Sequence, residues 1–238
     1  MTRLSVNINK FATLRNARGG NLPDIISSAR DCERFGAQGI TVHPRPDERH
    51  IRYQDVWDLK NVLTTEFNIE GFPDDRFMEM VLKVKPGQST LVPDGRDVIT
   101  SNKGWDTLTH KQFLAERITD LHAAGIRVSL FVDPDAQFIA GAKSLNADRI
   151  ELFTGPYAEI FVLDKIRAIE PYVIAAKIAD EIGLEINAGH DLNLENLRFF
   201  SANIPSLKEV SIGHALICDA LYLGLENAIQ MYLRELKN

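Results

Sequence analysis

The sequence predicts an α/β fold, a (β/α)8 TIM barrel with an extra helical insertion, on three observations. Eight short apolar runs alternate with longer helical patterns from one end of the chain to the other. A weak internal repeat joins helix ends to strand starts, and the first strand-to-helix turn holds no G-x-G-x-x-G, which counts against a doubly wound open sheet. With no linker, low-complexity tract or charge block, residues 1–238 read as a single barrel domain.

The strands are expected at 4–8, 39–43, 67–70, 89–93, 126–132, 149–153, 184–187 and 209–212. They read mostly as continuous Val, Ile, Leu and Phe runs and not as long in-out alternations, the pattern of a parallel sheet covered by helices. After the first strand, Pro23 opens a helix whose face is Ile25, Ile26, Ala29, Cys32 and Phe35, and Gly36 closes it. Phe77, Met80, Val81 and Val84 repeat the spacing between Pro73 and Pro86, and Phe113, Leu114, Ile118 and Leu121 do so before Gly125. The stretch from Tyr157 to Gly183 exceeds one crossover and carries Pro171 in its middle, so it is expected to hold a helical insertion and then a second helix. Leu225, Ile229, Tyr232 and Leu236 mark the helix that ends the chain. The repeat itself is visible at 35–42, 123–130, 146–152 and 182–187, where a helix ends at a small residue and a strand begins.

The 238 residues include 27 Lys plus Arg against 33 Asp plus Glu, a net charge of −6. That balance excludes a generally basic nucleic-acid binder and a polybasic membrane patch, but not a local cluster of cations facing an anion. Cys32 and Cys218 fit no C-x-x-C pattern and two thiols cannot staple so long a chain, so a reducing cytoplasm is expected. The N-terminal run lacks the apolar stretch of a signal peptide, and no apolar run is long enough to span a bilayer.

In such a barrel the active site lies at the C-terminal ends of the strands, so polar residues that end apolar runs are the candidates. Strand one ends in Asn7, Asn9 and Lys10, strand two in His43 followed by Arg45 and His50, and strand three in Glu70. Strand six carries Glu151 and Thr154, strand seven ends at Gly189 and His190, and strand eight ends at Gly213 and His214. Imidazoles and carboxylates converging there supply proton donors and acceptors near neutral pH. A carboxylate buried without a partner is costly, which favours a functional role for Glu70 and Glu151 over a structural salt bridge; Arg149 is set aside as a partner for Glu151. His110 and His122 follow the pattern of a surface helix and are read as structural. The proline-stiffened segment 43–50 holds Arg45 and His50 for an anion, and backbone N–H groups at the Gly213–His214 turn, opening the last helix, form another site with Gly189 close by. Two anion sites on one mouth suggest two phosphorylated substrates.

Together these motifs resemble the pyridoxine 5′-phosphate synthase family, barrel enzymes of vitamin B6 biosynthesis. The similarity runs through Val-Asn-Ile, the segment from Ala12 to Arg18, Gly-Ile-Thr-Val-His43, Arg-His50-Ile, Asn-Ile-Glu70, Leu-Val-Pro93, Ser-Leu-Phe131, Ile-Glu151-Leu-Phe-Thr-Gly, Asn-Ala-Gly-His190 and Ile-Gly-His214-Ala. The resemblance implies condensation of 1-deoxy-D-xylulose 5-phosphate with 3-amino-2-oxopropyl phosphate, with release of inorganic phosphate and water, no metal or organic cofactor, and an octamer. It implies acid/base roles for His43, Glu70 and His190. It implies contacts to the aminoketone phosphate and product by Asn7, Arg18, Gly213 and His214, contacts to the deoxyxylulose phosphate by Arg45, His50 and Thr100, and a place for Glu151 facing the amino nitrogen. Three positions depart from the pattern the resemblance implies: Asn9 and Lys10 stand where Asp-His is common, and Asp191 where Gly is common. All three are carried as substrate-binding candidates. Two other readings stay open on the residues: a metal-dependent sugar-phosphate isomerase-type barrel, because Glu and His also make divalent-metal sites, and a barrel that binds a B6 phosphate without catalysis.

Overall fold

The structure, a computed structural model, describes residues 1–94 and 103–237. Its elements run β1 (Arg3–Asn7), α1 (Asn9–Asn16), α2 (Ile25–Arg34), β2 (Gly39–Val42), α3 (Tyr53–Lys60), β3 (Glu66–Gly71), α4 (Asp75–Val84) and β4 (Gln88–Leu91). They continue as α5 (Lys111–Ala123), β5 (Arg127–Val132), α6 (Ala136–Ser144), β6 (Arg149–Leu152), α7 (Gly155–Phe161), α8 (Lys165–Glu181), β7 (Glu185–Gly189), α9 (Leu197–Asn203), β8 (Leu207–Ile212), α10 (His214–Leu223) and α11 (Leu225–Glu235). Every expected strand is present, and the eight close into a parallel barrel in chain order. Closure comes from β1 pairing with β8, Leu4 opposite Val210 and Val6 opposite Ile212.

The helices start where the sequence offers an acceptor. Asp24, Asp74, Asp135 and Asp164 each cap a first turn by accepting backbone N–H groups, at 2.7 Å from Ser27 and 2.8 Å from Phe77 in the first two cases. Each such cap contributes about 1 kcal/mol. Three helical expectations need correction. The 157–183 stretch does split in two, but at residues 162–164, where Asp164 caps a new helix; Pro171 lies inside α8. Asn9 and Lys10, expected to end strand one, instead open α1, a helix over Asn9–Asn16 for which no expectation was made. The Gly213–His214 turn opens α10 and not the last helix, because Gly224, at φ 80°, ends α10 and starts α11.

The strands also differ from the expected continuous apolar runs. Leu4, Val6, Ile40, Val42, Ile69, Leu130, Ile150 and Ile212 are fully buried in the hydrophobic core. Alternating with them, Ser5, Thr41, Asn68 and Thr90 are buried polar residues that bond to one another, Ser5 to Thr41 at 2.7 Å and Thr90 to Asn68 at 3.0 Å. Bonds between strands that are not neighbours place this polar row inside the barrel: Arg149 of β6 reaches Gln88 of β4 at 3.0 Å. The alternation is real, with both faces covered. Below the polar row, Arg3, Arg127 and Arg149 gather around Glu66. Arg149 also donates to Glu185 at 2.6 Å. That engagement keeps Arg149 from Glu151; strand alternation does not, since residues two apart share a face.

Candidate active site

A cavity of about 790 Å³ opens at the C-terminal ends of the strands. Its lining includes Asn7 of β1, Asn9, Lys10 and Thr13 of α1, His43, Arg45, Arg49 and His50 after β2, and Glu70 of β3. On the other side stand Glu151, His190, Asp191, Ser211, Gly213 and His214. Of the residues expected at the site, Arg18 lies elsewhere, exposed in the turn after α1, and Thr100 lies outside the described residues. His110 and His122 are also away from the mouth; His122 pairs with Asp148 at 2.8 Å. Strand alternation ends at Asn7, so it does not place Asn9. The first turn of α1 does, and there the Asn9 side chain accepts the His43 backbone N–H at 2.9 Å while Asn7 Oδ1 accepts the Asn9 N–H at 3.1 Å.

His43, His50 and His190, all in the cavity lining, are shifted in two opposite directions. Burial pushes His43 well below the usual imidazole range, and the nearby Arg45 charge adds to it, so the ring is neutral at pH 7. His50 is pushed down to about 4 by burial and then by Arg45 and Lys10. Its Nδ1 accepts the Ile51 backbone N–H at 2.9 Å, which assigns the ring proton to Nε2 and makes a neutral donor. His190 goes the other way. Burial alone would lower it, but the hydrogen bond from Nδ1 to Asp191 at 2.7 Å, with the charges of Asp191, Glu151 and Asp94, raises it above the usual value.

The two carboxylates are perturbed in one direction. Burial, then repulsion from Glu151 and Asp94, holds Glu70 well above the usual carboxylate range, with Arg45 opposing. Its one hydrogen bond among the described residues is a long one from Asn7 Nδ2, at 3.4 Å. Glu151 is pushed up to about 7 by burial and by Glu209, and its buried Oε2 has no hydrogen-bond partner among the described residues. Such groups exchange protons near neutrality.

Two neighbouring features fit anions. Arg45 is buried and fixed by Asp94 at 2.7 Å, with Arg49, Lys10 and the Nε2–H of His50 lining the same side. Asp94 and Arg49 were not singled out in the sequence. Opposite them, α10 begins at Gly213 with no side-chain cap. A Cβ at Gly213 would stand 3.0 Å from the Asn7 carbonyl oxygen, so any side chain there would push β1 and the helix N-terminus apart by a few tenths of an ångström. At Gly189 a Cβ would lie 2.3 Å from the Ser211 carbonyl oxygen, which brings β7 and β8 together just before His190. Among the described residues, no three His, Cys, Asp or Glu side chains gather in a way that could hold a metal ion.

A family model described as pyridoxal phosphate biosynthesis protein PdxJ matches residues 4–238. The chain belongs to the PdxJ family. A relative from Cytophaga hutchinsonii, named pyridoxine 5′-phosphate synthase, is 64% identical over 237 residues, covering 100% of each chain. A PdxJ relative of the same name from Flavobacterium johnsoniae is 60% identical over the same span, again covering 100% of each. Solved structures share the fold at low identity. A phosphoribosylanthranilate isomerase from Thermotoga maritima aligns with a TM-score of 0.62 at 14% identity, over 99% of this chain and 98% of its own. A thiamine phosphate pyrophosphorylase from Pyrococcus furiosus aligns with a TM-score of 0.63 at 13% identity, over 98% of this chain and 95% of its own. At such identities the likeness concerns the PdxJ barrel alone.

Proposed function

We propose that the chain is a pyridoxine 5′-phosphate synthase that condenses 1-deoxy-D-xylulose 5-phosphate with 3-amino-2-oxopropyl phosphate and closes the pyridine ring, releasing phosphate and water. The observation that carries the reading at the site is the meeting, in one cavity, of imidazoles shifted in opposite directions, His43 and His50 down and His190 up, with two carboxylates, Glu70 and Glu151, raised above their usual range. Successive dehydrations need groups that both take and give protons at one pH, and this set supplies them.

In this reading Glu70 removes protons from the condensing carbon skeleton. Burial and the neighbouring carboxylates make it a stronger base once ionised than a solvated glutamate. Neutral His43 relays protons during condensation and ring closure, and His190 gives a proton to a leaving group. Arg45, His50 and Lys10 hold the deoxyxylulose phosphate. Asn7, Gly213 and His214 hold the aminoketone phosphate at the α10 N-terminus, with Glu151 toward the amino nitrogen. An octamer and a cytoplasmic setting belong to the same proposal; no helix among the described residues is long and apolar enough to cross a membrane.

Incubation of the purified protein with both phosphates should develop the absorbance of pyridoxine phosphate and release inorganic phosphate. Either substrate alone should give neither signal. Turnover should persist in excess chelator; loss with chelator and recovery with a divalent ion would instead favour a metal-dependent barrel enzyme.

A further inference from the structure

Asp191 follows His190 directly and lines the same cavity. Its carboxylate Oδ2 lies 2.7 Å from His190 Nδ1. Neighbouring residues fix the turn that presents the pair. His190 has φ 52°, a left-handed conformation that is unusual for a histidine and has to be imposed from outside. The constraint comes from both flanks: the buried Thr154 hydroxyl donates to the Gly189 carbonyl and accepts the Asp191 N–H at 3.2 Å. Asn196 Nδ2 adds a bond to the Asp191 carbonyl at 3.3 Å, and the His190 N–H donates to Ser211 at 3.2 Å. The Phe153 ring meets the imidazole edge-on at 6.0 Å.

We infer that Asp191 is a positioning residue for His190, its carboxylate holding Nδ1 so that the imidazole presents an Nε2–H to the departing oxygen of the substrate. The inference rests on the synthase reading for the identity of that oxygen, and on the geometry above for the pairing. As the C–O bond breaks, its electron pair stays on oxygen, the pair of the neighbouring C–H bond, whose proton Glu70 takes, forms the C=C bond, and the Nε2 proton joins the departing oxygen to complete water or hydrogen phosphate. The imidazole is left neutral, with its remaining proton on Nδ1 facing Asp191, and the partly exposed ring regains a proton from solvent. An aspartate bound to one imidazole nitrogen sets the tautomer and orientation of the other and stabilises the charged ring. Other groups also act on this ring: Glu151 from β6 and Asp94 from beyond β4 favour its charged form, and the neutral His43 stands across the mouth. Asp191 is the member of that set bonded directly to Nδ1.

Asp191→Asn keeps the shape of the side chain and removes its charge. NMR titration of the histidine rings in the substrate-free protein should show the His190 pKa falling by about one unit, the low end of the effect of an adjacent opposite charge. The alkaline limb of the kcat profile should move to lower pH by a similar amount, while KM for each phosphate changes less than about twofold. Asp191→Gly, which removes the carboxylate while keeping the backbone N–H that Thr154 accepts, should behave in the same way and serves if the Asn variant folds poorly. An unmoved His190 titration with an unmoved alkaline limb overturns the inference, as does a change confined to KM. If the parent chain forms no pyridoxine phosphate, the synthase reading fails, and the ring titration still decides whether Asp191 governs His190.

Discussion

At the scale of single residues, the site depends on carboxylates and imidazoles that the fold removes from water. Glu70 is the sharpest case, since burial and two neighbouring acids all favour its protonated form. Glu70→Gln keeps its size and its contact with Asn7 but cannot take a proton, so kcat should fall by roughly 10²–10⁴ with KM little changed in steady-state assays. Lys10 sits in the first turn of α1, exposed, and is among the charges that depress His50, which places it on the Arg45 side of the cavity. Lys10→Met keeps the apolar stem and should raise KM for deoxyxylulose phosphate several-fold more than KM for the aminoketone phosphate. Equal, small effects on both would remove Lys10 from substrate binding. His43, Glu70 and His190 were legible in the sequence because each follows an apolar run, and a parallel barrel aims such residues at one mouth. Asp94 was not, because its tie to Arg45 spans 49 positions and leaves no local pattern.

At the scale of elements, α1 and α3 together anchor the loop that carries His50. Arg15, buried on α1, grips both carboxylate oxygens of Asp55 at 2.6 and 2.9 Å and donates to the His50 carbonyl at 3.1 Å. Asn16 donates to the same carbonyl at 2.8 Å, and Asp55 in turn accepts the Arg52 N–H at the start of α3. Arg15→Met should leave Asp55 as a buried, unpaired charge at a cost on the order of 3 kcal/mol. For a chain of this length that corresponds to a fall in Tm of roughly 6–12 °C by calorimetry. Adding Asp55→Asn, which removes the charge but still accepts the Arg52 N–H, should recover part of the loss in stability, while both variants should raise KM for deoxyxylulose phosphate because the His50 carbonyl stays without its arginine. Arg15 lies in the segment from Ala12 to Arg18, but its partner Asp55 is 40 positions away, so no local pattern announces the pair. Pro171 misled in the opposite direction. A proline suggests a break, yet the division falls where Asp164 provides a cap, and the long helix carries the proline.

For the whole molecule, the unexpected property is the polar barrel interior, which composition and run length concealed because Ser and Thr interrupt apolar runs without looking like sites. At the barrel floor Glu66 and Glu209 share the arginines unequally. Burial would raise Glu66, but the Arg127 hydrogen bond and the charges of Arg127, Arg3 and Arg149 outweigh it and lower its pKa. Glu209, at 3.5 Å from Arg3, is pushed up to about 7 by burial and by Glu66. Between about pH 4.5 and 7 the unfolded chain therefore releases the Glu209 proton while the folded barrel keeps it, and rising pH draws stability down. Glu209→Gln should gain stability over the parent chain through that window, by on the order of 2 kcal/mol at pH 7 and no further above it, read from urea midpoints. The difference from the parent is the quantity to compare, because the lowered pKa values of His43 and His50 tilt both proteins the other way below pH 6.5. The pairing of β1 with β8 has a consequence for synthesis as well. β1 must wait for a strand encoded some 200 residues later. At roughly 5–20 residues per second one edge of β1 stays open for about 10–40 s on the ribosome, so the nascent chain is most vulnerable to mispairing along Arg3–Asn7.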